Sequence, residues 1–115
     1  MSSDLCYSDF AKFEIRVGQV LSAKEIPKTR NLVEFIIDIG KENPITVIET
    51  FAGKINLETL INKKILVLVN LPPRKLMGYD SEAIILATEV NKRIYLIGII
   101  PEEESAQIPN GSKIR

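Results

Sequence analysis

Apolar β-branched residues come in short runs along this chain, and Gly, Pro, Asn or Asp interrupts them at intervals of roughly 8–12 residues. That pattern excludes long amphipathic helices and points to an all-β chain of short strands. Phe13, Ile15 and Val17 alternate with Glu14 and Arg16, which places one apolar set on one face of a first strand. Gly18 breaks the alternation, so the spacing predicts a bulge or bend there, with the strand continuing over 20–26. Further strands are predicted at 32–39, 45–51, 65–69, 83–87 and 94–100. A helical turn is expected at 8–12 with Ser8 as its N-cap, and a short helix at 56–61 capped by Asn56. The stretch between 69 and 83 reads as a polar loop, and 101–115 as a tail with a turn at Asn110-Gly111.

A chain of 115 residues fits one domain, and 45% hydrophobic content suffices for a core without disulfides or a structural metal. There is no histidine, and Cys6 is the only cysteine. Ser-His-Asp and Cys-His nucleophile systems and most zinc sites are thereby removed, so neither an enzyme, a metal nor a cofactor is expected. No apolar run reaches the roughly 20 residues of a membrane span, and the N-terminus lacks a signal pattern, so a cytoplasmic protein without membrane insertion is expected. Fifteen basic residues balance fifteen acidic ones. Three of the acids form the run Glu102-Glu103-Glu104, and residues 10–100 hold thirteen basic against ten acidic side chains. Basic pairs stand at Lys63-Lys64, Arg74-Lys75 and Lys92-Arg93, with Lys24, Lys28 and Arg30 in and around an early loop.

The first five of these strands, with a short helix between the third and fourth, have the layout of the OB-fold, a five-stranded Greek-key barrel that commonly binds oligonucleotides. Here it is expected with an N-terminal helical turn and a C-terminal extension. The segment from Asn70-Leu71-Pro72-Pro73-Arg74-Lys75 through Leu76-Met77-Gly78-Tyr79-Asp80-Ser81-Glu82 resembles the signature loop of the tRNA-binding domain found beside methionyl-tRNA synthetases. Asp9-Phe10-Ala11-Lys12-Phe13-Glu14-Ile15-Arg16-Val17-Gly18 is similar to the N-terminal motif of the same family. The resemblance implies a tRNA-binding OB domain over 9–115, after a 1–8 tail, with a dimerisation extension over about 90–115.

In that family the chain looks like a free-standing tRNA-binding protein or a β-subunit-like partner of an aminoacyl-tRNA synthetase, and a homodimer is implied. The alternative is the CsaA-type secretion chaperone, which would bind unfolded polypeptide. Arg74 and Lys75 are the expected phosphate contacts. Asn70 and Ser81, at the two ends of the loop, either touch ligand or hold the loop. Met77 and Tyr79 can cover or stack on an exposed base, and Arg16 completes the set. Glu49-Thr50 departs from the Ser-Gly pair of many members, and an acid on that face repels phosphate. Ile94, Leu96, Ile99 and Ile100 offer apolar surface for a second copy.

Overall fold

The computed structural model describes residues 4–115; residues 1–3 of the expected 1–8 tail lie outside the described residues. The first element, α1 (Tyr7–Ala11), begins after Cys6 rather than Ser8. The Asp9 carboxylate accepts the Cys6 N–H at 2.9 Å, so an acid in the first turn does the capping.

The first strand, β1 (Ile15–Glu25), is the spine of the molecule. Residues 15–19 pair with β4 (Lys64–Leu68), and the later residues pair with β2 (Val33–Asp38), which in turn pairs with β3 (Ile45–Glu49). With β7 (Ile84–Ile85) on the far side of β4, the sheet order is β3-β2-β1-β4-β7, all neighbours antiparallel. This curled five-stranded half-barrel is the OB architecture. The bulge lies between Val20 and Ser22, where the β1–β2 register shifts, and not at Gly18. Gly18 serves close packing instead: a Cβ there would meet Ile37 Cγ2 at 2.6 Å.

Alternation set the strand faces as expected, with Val33, Phe35 and Ile37 fully buried while Glu34, Ile36 and Asp38 are only partly so. The core gathers Val20, Val33, Phe35, Ile37, Val47, Ile65, Val67 and Ile85, and Phe35 meets Phe51 edge-on at 5.9 Å. Between β3 and β4, a 3-10 turn (Leu57–Leu60) stands where the helix was expected, and Asn56 caps it by accepting the Glu58 N–H.

Two further expectations need correction. The polar loop is in fact a second small sheet, the hairpin β5 (Arg74–Leu76) and β6 (Tyr79–Ser81). Its two-residue turn, Met77-Gly78, has φ of 48° and 87°, the left-handed pair that a tight hairpin needs. The runs expected as strands at 83–87 and 94–100 are shorter and differently divided. β7 ends at Ile85, and β8 (Ala87–Val90) then forms a hairpin with β9 (Arg93–Leu96).

The tail turns through a 3-10 segment (Glu102–Gln107) and returns to β1. Val17 N–H donates to Ser112 O, Gly111 N–H to Val17 O, and Ile114 N–H to Ile15 O, so the tail fills the β1 edge that β2 leaves open. Gly40 and Gly111 pass so closely that a Cβ on Gly111, whose φ is 92°, would lie 2.3 Å from Ile39 O.

Candidate functional site

The open edge of the half-barrel is β3, and side chains, with one backbone bond, close it. Ile48 N–H donates to Ser81 Oγ at 2.9 Å, Thr46 N–H to Glu82 Oε2 at 2.7 Å, and Glu82 N–H to Thr46 O at 2.9 Å. From the β3 end, Glu49 Oε2 accepts the Ile85 N–H at 2.9 Å. The β5–β6 hairpin is thus fastened along β3. Leu76 anchors it further, packing on a small cluster of Ile26, Leu32 and Ile48. Ile26 and Leu32 flank the β1–β2 loop, so one cluster brings that loop beside the hairpin. These are the two loops with which OB barrels hold oligonucleotides.

Within the hairpin, strand alternation separates the two cations that are adjacent in sequence. Lys75 lies opposite Asp80 in the register, and its Nζ is 2.9 Å from Asp80 Oδ1, both side chains being well exposed. Arg74 points the other way, where its Nη2 is 3.6 Å from Glu49 Oε1. The two expected phosphate contacts therefore do not act side by side: each cation has its own carboxylate partner on its own face. Glu49 is mostly buried, and that burial pushes its carboxyl above the ordinary range, against the opposing pull of the Ile85 N–H and Arg74.

The other expected residues fall into two groups. Met77, 66% exposed at the hairpin tip, and Tyr79, 40% exposed, are available to a ligand. Tyr79 lines a wide groove of about 610 Å³ with Pro73, Glu34, Asp80 and Glu82. Ser81 is 1% exposed, and its hydroxyl is taken up by Ile48 and Ala83, so it fastens the hairpin instead of reaching outward. Asn70 is exposed, yet its amide binds the N-terminal segment at both ends, donating to Lys12 O at 2.7 Å and accepting from Glu14 N–H at 2.9 Å.

Arg16 is engaged away from the hairpin. It donates to Glu14 Oε1 at 2.7 Å and to Gly111 O at 3.2 Å, and lines a separate cavity with Lys41 and Val69. Its guanidinium holds the Glu14 carboxyl below the ordinary carboxylate range. Sequence reasoning left Lys28 and Arg30 outside the site, although both lie exposed in the β1–β2 loop and form no ion pair among the described residues. Their signal was the basic spacing of that early loop.

A cavity of about 240 Å³ opens at the base of the hairpin between Leu71, Pro72, Ala83 and Ile84, with Arg74 and Ser81 in its wall. Among the described residues, no group of His, Cys, Asp and Glu side chains is arranged to hold a metal ion, and no helix is long and apolar enough to cross a membrane.

Comparison with known proteins agrees with this geometry. The family model described as "Putative tRNA binding domain" matches residues 15–112. Methionine–tRNA ligase of Methanosarcina mazei is 38% identical over 109 residues, which is 95% of this chain and 15% of that protein. The chain thus spans about 15% of the length of such relatives. Among solved structures, a MetRS-related protein from Pyrococcus horikoshii superposes with a TM-score of 0.83 at 30% identity, covering 99% of this chain and 100% of that one. The chaperone CsaA of Bacillus anthracis superposes with a TM-score of 0.79 at 27% identity, covering 98% and 100%. With its model matched across nearly the whole barrel, the chain belongs to the tRNA-binding domain family.

Proposed function

We propose that this chain is a non-catalytic, cytoplasmic tRNA-binding protein that works either by itself or as a detached partner of a methionyl-tRNA synthetase. The observation behind this reading is the Leu76 cluster, which sets the β1–β2 loop beside the β5–β6 hairpin in a chain of this family. Lys28 and Arg30 offer phosphate contacts from one side, and Arg74 and Lys75 from the other. Tyr79 and Met77 give an exposed base an apolar platform between them. A helper of this kind needs no sequence readout of its own, because contacts to phosphate position a ligand without identifying it.

The test is a titration with bulk tRNA at several salt concentrations. Phosphate-driven binding weakens steeply as salt rises, and a flat response would remove this function. Replacing Arg74 and Lys75 together with Ala should lower the salt slope by about one to two units. The same change at Lys92, in the β8–β9 turn, and Arg93, which opens β9, should do less.

A second reading, the binding of extended polypeptide, is favoured by two observations: the likeness to CsaA over the whole of that chain, and the apolar walls of the Leu71–Pro72–Ala83–Ile84 cavity. Peptide binding by that cavity should depend weakly on salt, so the same titration with an unfolded apolar peptide separates the two.

We also propose a homodimer. Ile94 is buried in the chain's own core and is not available to a partner, contrary to the sequence expectation, and Leu96 packs partly against that core. Ile100, of the expected set, is exposed, and Val90, Tyr95 and Ile97 join it, with Tyr7, Phe10 and Phe13 near the N-terminus. A symmetric partner would bury such surface.

A further inference from the structure

A guanidinium presents two different pairs of donors: the fork of Nε and Nη2, and the end formed by the two Nη atoms. In Arg74 the fork is the inward side. Nε and Nη2 are both buried and have no hydrogen-bond partner among the described residues, although 40% of the side chain is exposed. That exposure therefore comes from Nη1 and the aliphatic stem. Beside Nη2 lies Glu49, 12% exposed, with Oε1 at 3.6 Å. Its other oxygen is pinned by the Ile85 N–H at 2.9 Å, so the carboxylate cannot swing out to solvent without breaking that bond. A phosphate approaching from solvent meets one nitrogen of Arg74 and finds the bidentate side turned inward, with an anion beside Nη2.

We propose that Glu49 is an internal competitor for phosphate, holding the fork of Arg74 and so setting both the affinity and the salt dependence of RNA binding at the hairpin. This rests on the RNA-binding reading above. Carboxylate and phosphate suit the same guanidinium fork, so one excludes the other. The contact with Glu49 is also longer than the roughly 2.7–2.9 Å of a well-made charged hydrogen bond, so Arg74 is held loosely and can turn its fork out to a better acceptor. Asp80 does not play the same part, because its pair with Lys75 is exposed on both sides and solvent competes for it throughout.

The experiment is a double-mutant cycle in tRNA affinity with Glu49→Gln and Arg74→Ala, each measured across a salt series. The Gln amide oxygen can still accept from Ile85, and thermal melts of each variant verify the fold. Glu49→Gln should tighten binding roughly tenfold and steepen the salt slope by about one unit, as Arg74, no longer drawn inward by a carboxylate, turns its fork out to a phosphate. In the Arg74→Ala background the same change should gain much less.

Equal gains in both backgrounds would mean plain repulsion by a negative charge and would overturn the proposal, as would no gain at all. Wild-type chain that binds tRNA with a steep salt response alongside either result keeps the function and loses only the competitor. A second readout needs no RNA: inorganic pyrophosphate titrated against the Arg74 Nε–H resonance. It should perturb that resonance at roughly tenfold lower concentration in Glu49→Gln than in wild type. Equal midpoints there overturn the competition even if no variant binds tRNA, a result that would separately remove the proposed function.

Discussion

Glu49 and Ser81 show how much a single side chain contributes at the seam between β3 and the hairpin. Because burial raises the Glu49 carboxyl, the folded chain holds that proton more tightly than the unfolded chain does. This group therefore favours folding at pH below the ordinary carboxylate range, and its contribution is lost as pH rises through its folded value. Glu14 and Glu102, lowered by Arg16 and Lys63, work the other way: their contributions are present above the ordinary range and lost as pH falls. Urea unfolding from pH 4 to 7 should accordingly find wild type losing stability relative to Glu49→Gln as pH rises; a constant difference would contradict the burial argument. Ser81→Ala strands the buried Ile48 N–H and should cost about 1–3 kcal/mol, read as a lowered denaturation midpoint.

At the scale of elements, the tail is the most exacting addition to the barrel. Gly111→Ala would set a Cβ against Ile39 O at a φ of 92° that side chains rarely adopt, so the tail should lift from β1. We expect a loss of more than about 1 kcal/mol, with hydrogen exchange at the Val17 amide, which donates to Ser112 O, accelerated well beyond that of Phe35. The strands of the main sheet were readable because Val33, Phe35 and Ile37 alternate with partly exposed neighbours, and Asn56 was readable as a cap because it precedes a compact apolar turn. The β5–β6 hairpin was not. Its strands are three residues each, and Arg74, Lys75, Asp80 and Ser81 hide the period of two, leaving only the Met77-Gly78 turn as a signal. That omission also left Arg74 and Lys75 reading as neighbouring phosphate contacts, when a strand turns neighbours to opposite faces. The partnership of Arg74 with Glu49 joins residues on different elements, and no local spacing announces it.

For the whole molecule, a net charge of zero means that long-range steering of RNA is weak, and affinity must come from local contacts. A second copy would compensate by presenting two sets of loops to one ligand, which can raise avidity by about 10²–10⁴ without any new contact. Light scattering at micromolar concentration should give near twice 12.9 kDa, and replacing Tyr95 and Ile97 with polar residues should return it toward the single-chain mass. The side-chain closure of the barrel has a further consequence. A backbone ladder cannot be edited by substitution, whereas the bonds from Ser81, Glu82 and Glu49 can each be removed by one codon change. Drift at three positions is thus enough to loosen or tighten how the hairpin and β7 sit on β3, so the grip of this barrel can be retuned in inheritance while its apolar core stays untouched.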